Sequence, residues 1–147
     1  MDHAEQSTQR EHANQPPEKK PILRQTLSRA QRLTRSGDIR EAYAQGRKAV
    51  GSCMVLWTRT ATDAQLRLGV VASRKVGNAV ARARAKRLMR EVYRTHRAGL
   101  TGNVDVVLVA RHAILRTPWS DVVNDFRSLA VRARLRETRE EHVDPSA

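Results

Sequence analysis

Apolar residues recur along the chain in two rhythms, one of about 3.6 and one of two, and the switches between them outline the elements. Residues 36–45 carry Ile39, Ala42 and Tyr43 on one helical face, with Ser36 placed to cap the helix and Gly46 to end it. Residues 53–59 (CMVLWTR) alternate as a strand, Met54 and Leu56 on one side, Cys53, Val55 and Trp57 on the other. After a turn at Thr62-Asp63 the alternation resumes over residues 66–73, with Leu66, Leu68, Val70 and Ala72 on one face. That pairing of runs predicts a hairpin with one apolar face. Residues 47–52 form a weaker, short strand candidate. From Ala79 to Arg97 the period is helical again, with Asn78 as the cap and Ala81, Ala85, Leu88 and Val92 facing inward. Gly99 and Gly102 stop that helix, VDVVLVA (Val104 to Ala110) is a further strand, and Thr117-Pro118 opens a last helix with Val122, Phe126, Leu129 and Ala133 inside.

The order is α-β-β-α-β-α with one more short strand before the hairpin: α+β, a small sheet with helices packed on one side. No internal repeat is visible. Residues 1–25 and 136–147 are polar and lack an apolar period, so they are expected to be a disordered extension and a polar tail around one domain at 26–135. With 147 residues the chain has room for one domain but not comfortably for two.

Charge changes the picture more than length does. The net charge is +13, from 28 Lys+Arg against 15 Asp+Glu. Residues 67–97 alone hold ten of the basic side chains against a single acid, Glu91, whereas residues 1–25 balance. The excess is therefore part of the folded domain, which disfavours a basic tail as its explanation. On the wheel of the 79–97 helix, Arg82, Lys86, Arg90, Arg94 and Arg97 lie within about 120°, with Arg87 beside them, opposite the apolar stripe. Like charges at this spacing repel, and one glutamate cannot neutralise them; phosphates can. Ahead of the helix, Ser73, Arg74, Lys75 and Asn78 stand where a helix N-terminus leaves N–H groups unpaired, which favours an anion. A polyanionic partner is the expectation, RNA or DNA before a membrane surface, since the uncharged face of the helix is needed for the core.

Catalytic candidates are scarce. The five histidines (His3, His12, His96, His112, His142) show no ligand spacing, Cys53 is a lone cysteine best read as a small buried residue, and no paired carboxylates suggest a metal-dependent nuclease. Glu91 reads as an ion-pair partner. No apolar stretch is long enough for a membrane span and no signal sequence opens the chain, so the cytoplasm is the expected location.

The segment SRKVGNAVARARAKRLMREVYR (Ser73 to Arg94) resembles the signature of the bacterial ribonuclease P protein family, which runs Ser-[Lys/Arg]-[Lys/Arg]-x-Gly-x-Ala-Val-x-Arg-Asn-Arg-x-Lys-Arg followed by an Arg one turn on. Ser73, Arg74, Lys75, Gly77, Ala79, Val80, Arg82, Arg84, Lys86, Arg87 and Arg90 match it. The flanks agree across about residues 29–135: Ile39 and Tyr43 four apart, Trp57 late in a strand, Leu68-Gly69-Val70 before the motif. Two positions depart. Ala83 stands where the family has Asn, removing an amide, and Ile39 is aliphatic where Phe is common, which weakens stacking there.

The resemblance implies the order α-β-β-β-α-β-α, with a four-stranded sheet and a left-handed β-α-β crossover. It implies the protein subunit of an endoribonuclease that removes the 5′ leader of precursor tRNA, with the chemistry on the RNA subunit and no catalytic residue in this chain. Mg²⁺ is then expected mainly on the RNA, with no cofactor, metal or small-molecule substrate held by the protein alone. Arg82, Arg84, Lys86, Arg87 and Arg90 would dock the catalytic RNA. Tyr43, Trp57, Ile39 and Arg59 would bind the leader, with Gly69 allowing close approach. Core packing is the competing role for Tyr43 and Trp57, and the favoured one for Trp119. A non-enzymatic ribosomal or assembly RNA-binding protein is the alternative, using the same helix without a leader cleft.

Overall fold

The computed structural model describes residues 27–135; the extension expected over 1–25 and the tail over 136–147 lie outside the described residues. A short 3-10 turn, Arg29–Gln31, precedes helix α1 (Ser36–Gln45) and strands β1 (Lys48–Val50), β2 (Met54–Thr60) and β3 (Leu68–Val71). Helix α2 (Ala79–His96), strand β4 (Val104–Ala110) and helix α3 (Trp119–Arg132) follow, with 3-10 turns at Arg97–Gly99 and His112–Arg116 on either side of β4. The order is the expected one, and residues 47–52 do contain the extra strand.

The sheet runs β1-β2-β4-β3, with β2 antiparallel to β1 and β4 and β3 parallel to β4. The hairpin expected between residues 53–59 and 66–73 is therefore absent: β4 lies between β2 and β3. Alternation identifies which residues share a face but not which strand is the neighbour. β4 is apolar on both faces (Val106 and Leu108 one way, Val107 the other), as suits a central strand.

The main core lies on one face of the sheet, where Met54, Leu56, Leu68, Val106 and Leu108 meet Met89, Val92 and Tyr93 of α2 and Val122, Phe126 and Leu129 of α3. Burying each large apolar side chain stabilises the fold by roughly 1.5–3 kcal/mol. Helices do not all pack on that side, however. On the other face α1 lays Ala42 and Ile39 over Leu33, Trp57, Val107 and Val109. Gly69 permits this second layer, since a Cβ there would lie 3.2 Å from the Leu33 carbonyl oxygen. Cys53 sits in the main core and not on the Trp57 side. Ser36 is the first residue of α1, whose N-cap is Arg35, and Gly46 closes the helix as expected.

Candidate nucleic-acid interface

α2 is built from good helix formers, and its start is fixed by the Asn78 side-chain oxygen, which accepts from the Ala81 N–H at 2.9 Å. Its buried face consists of Ala85, Met89, Val92 and Tyr93. The predicted stripe is right at Ala85 and Val92, while Ala81 and Leu88 are half-buried at its margin. Tyr93 was concealed by its polar tip; its hydroxyl donates to the Leu66 carbonyl at 2.8 Å, inside the core.

On the opposite side Arg84, Arg87 and Arg90 are exposed and Arg82 and Lys86 half-buried. Among the described residues none of the five forms an ion pair. Arg82 Nε donates only to its own helix, to the Asn78 carbonyl at 3.4 Å. The wider row drawn from the wheel is shorter in fact. Arg94 is taken by Glu91 at 2.6 Å, the ion-pair role foreseen for that glutamate, and Arg97 turns back to the Gln65 carbonyl at 3.5 Å.

The loop ahead of α2 continues this surface. Ser73, Arg74 and Lys75 are exposed, and the Ser73 hydroxyl accepts from the Lys75 N–H at 3.3 Å. Gly77 has φ 149°, and a Cβ there would lie 2.8 Å from the Ala81 Cβ, so only glycine brings the basic loop so close to the helix start. The oxygen of Asn78 is committed to the cap, where it holds the helix N-terminus in place.

On the α1 face Tyr43 meets Trp57 edge-on, ring centroids 4.9 Å apart, and Lys48 Nζ stands 5.1 Å above the Trp57 ring. Tyr43 is 36% exposed and Trp57 half-buried, so both are packed yet present ring surface. Burial raises the Tyr43 pKa, keeping its hydroxyl neutral. Ile39 lies one turn away and faces a hollow of about 490 Å³ that Arg90 also lines, so a residue of α1 and one of the α2 row share a cavity. Gly69 admits the chain's own Leu33 segment, which corrects the expectation that a ligand would make the close approach.

Arg59 also departs from expectation. It is 4% exposed and surrounded by carboxylates: Asp105 at 2.7 Å, Glu41 at 2.6 Å, Asp63 at 3.2 Å and Asp38 at 3.4 Å. Burial lowers its pKa, but bonds to Glu41 and Asp105 outweigh that and raise it. A guanidinium so neutralised is not available to a leader phosphate. Asp105 is fully buried and accepts from Arg59, from the Arg67 side chain at 2.8 Å and from the Gln65 and Arg67 N–H groups. Burial would raise its pKa; the Arg67 contacts reverse that and hold it below the usual carboxylate range. The one sequence signal for this network is an acid inside the apolar strand VDVVLVA.

Trp119, expected to be packed, is 43% exposed and lines a cleft of about 580 Å³ between α2 and α3 together with Arg87 and Leu88. Cys53 donates from Sγ to Asp125 at 3.3 Å; burial, then Asp125, push its pKa up to about 12, so it is no nucleophile near neutral pH. His96 holds the Val92 carbonyl at 2.8 Å and His112 contacts Arg116; His3, His12 and His142 lie outside the described residues. Among the described residues no group of three or more His, Cys, Asp or Glu could hold a metal ion, and no helix is long and apolar enough to cross a membrane.

The chain is similar to known proteins. The family model described as Ribonuclease P matches residues 27–134. The ribonuclease P protein component of Chloroflexus aurantiacus is 34% identical over 110 residues, covering 74% of this chain and 82% of that protein. That of Exiguobacterium sp. is 30% identical over 109 residues, covering 74% and 95%. Among solved structures, the RNase P protein of Thermotoga maritima superimposes with a TM-score of 0.61 at 26% identity, covering 69% of this chain and 96% of that one. The RNase P protein of Staphylococcus aureus gives a TM-score of 0.64 at 24% identity, covering 71% and 96%.

Proposed function

The chain belongs to the ribonuclease P protein family, and from that premise we propose how its surfaces divide the work of the tRNA 5′-processing ribonucleoprotein of which it is a component. The α2 row and the Ser73–Lys75 loop dock phosphates of the catalytic RNA. The α1 face, through Tyr43, Trp57 and Ile39, holds the single-stranded 5′ leader of precursor tRNA. Hydrolysis belongs to the RNA subunit with its Mg²⁺, and the complex works in the cytoplasm. The alternative of a non-enzymatic ribosomal or assembly protein is not favoured by the family match.

One observation carries the reading: five cations in a row on α2 without a single ion-pair partner among the described residues, in a fold that pairs Arg59, Arg67 and Arg94 closely. Guanidinium groups left unpaired along a rigid helix suit phosphate oxygens, and arginine binds them in a fork. A partly exposed aromatic pair with a lysine above one ring suits an unpaired base, by stacking and by charge. The protein's contribution to catalysis is to position the two RNAs relative to each other, which lowers the entropic part of the barrier.

The experiment is a three-way incubation of precursor tRNA with Mg²⁺ and the purified protein, the RNA subunit, or both. Cleavage at the mature 5′ end is expected with both and none with protein alone. Robust cleavage by protein alone would overturn the assignment of the chemistry to RNA.

A further inference from the structure

We infer that a second basic hollow, at the β1 edge of the sheet, binds phosphates of the precursor leader beyond the part held at Trp57. Arg47, Lys48, Arg132 and Arg134 line this hollow, whose volume is about 480 Å³. They come from three places: the turn after α1, strand β1, and the end of α3. Among the described residues none of the four forms an ion pair, and no acidic side chain lines the hollow.

Two of the four are held where they stand. Arg132 Nη2 donates to the Val50 carbonyl of the edge strand at 2.8 Å, and Lys48 Nζ rests over the Trp57 ring. Arg134 is more telling. It has φ 62° in the turn that ends α3, where its N–H donates to the Val131 carbonyl and that of Leu135 to Ala130. Glycine is the usual residue at such a helix end, because a side chain strains the left-handed region. Ending the helix does not call for an arginine here; placing a cation at the rim of the hollow does.

The sheet order decides which RNA reaches it. β1 and β3 are opposite edges, so the hollow is separated from the basic loop that follows β3 by three strand spacings, about 14 Å. A duplex lying along α2 is therefore not its natural occupant. Lys48, by contrast, lines the hollow and also covers Trp57. A single strand stacked on Trp57 meets the four cations next as it continues over the sheet edge. The inference thus rests on the reading of the Trp57 face as the leader surface.

The test uses the reconstituted holoenzyme with Arg47→Ala/Arg134→Gly protein and precursor tRNAs whose leaders are about 4 or about 14 nucleotides long, bracketing the span of one single-strand groove. Glycine at 134 relieves backbone strain, so the melting temperature should not fall, and a binding loss cannot then be laid to unfolding. The long-leader substrate is expected to bind about tenfold more weakly with a salt slope shallower by about 1.4, and the short-leader substrate as before. Equal effects on both substrates, no effect on either, or weaker assembly with the catalytic RNA would each overturn the inference. Trp57→Leu, run in parallel, tells its failure from failure of the underlying reading. If Trp57→Leu weakens both precursors and the double variant neither, only the hollow is wrong; if Trp57→Leu changes neither, the leader surface itself is misplaced.

Discussion

Arg59 and Arg87 carry the same charge on the same side chain, yet the fold treats them in opposite ways. Arg59 is buried under four carboxylates and ties α1, β2 and β4 together, with Arg67 completing the cluster through Asp105. Arg87 stands exposed on α2 among four other cations, none paired within the described residues. A buried charge demands partners because the desolvation cost must be offset, so the first cluster is structural. The second leaves its repulsion unrelieved, which is tolerable only at the surface and useful only to a polyanion. On the proposed division, the company of carboxylates marks Arg59 and Arg67 as structural and its absence leaves the α2 row for RNA, and the predictions below test it.

The largest effect should come from breaking the paired cluster. Asp105→Ala takes an acceptor from the buried Arg59 and the half-buried Arg67 and should cost about 3–5 kcal/mol in urea unfolding. A loss below ~1 kcal/mol would mean the network is incidental. Arg84→Ala/Arg87→Ala should leave unfolding free energy within about 0.5 kcal/mol of the parent, since alanine suits a helix and no core contact is lost. It should weaken assembly with the catalytic RNA by about 2 kcal/mol, whatever the leader length. Unfolding of this variant would erase the distinction between the two clusters.

Trp57→Leu keeps apolar bulk on β2 but removes the stacking surface, and should weaken precursor tRNA by roughly 1–3 kcal/mol while sparing mature tRNA. Equal weakening of both would make Trp57 a core residue. The stability profile against pH sharpens the structural side. Asp105 titrates below its ordinary 3.8 in the folded state, so its contribution is complete above that pH and is lost on acidification below it. Cys53 runs the other way: its thiol is raised from 9.0 to about 12, so its contribution is complete below pH 9 and declines as pH rises toward 12. Cys53→Ala should flatten that alkaline decline, as followed by denaturation midpoints at pH 8, 9 and 10. The smallest effect belongs to Ala83→Asn, which restores the family's amide and should tighten RNA binding by at most about 1 kcal/mol or leave it unchanged. A severe loss of assembly would mean the contact has been rebuilt around alanine.

Much of this was legible in the chain. The periodicities placed the three α-helices and strands β2, β3 and β4, with β1 only a weaker candidate and the short 3-10 turns missed. The motif at Ser73 to Arg90 located the basic surface, and both successes depend on local spacing. The sheet order was not legible, since Leu68 and Val70 alternate in the same way beside β2 or beside β4. Arg59 was misassigned for a related reason. Two residues on from Trp57 it shares that strand face, but Asp38, Glu41, Asp63 and Asp105, which remove it from any RNA, gather only in three dimensions. The same holds for the hollow at β1, whose four cations come from separate parts of the sequence.

The central claim is that the unpaired cations of α2 contact phosphate, and the salt dependence of assembly tests it most directly. The dissociation constant of the protein for the catalytic RNA should be measured across monovalent salt at fixed Mg²⁺, for the parent and for Arg84→Ala/Arg87→Ala. With about five contacts, log affinity should fall with log salt at a slope of roughly −3.5 to −4.5, shallower by about 1.4 to 1.8 in the variant. A slope near zero, or one that the double substitution leaves unchanged, would contradict the account.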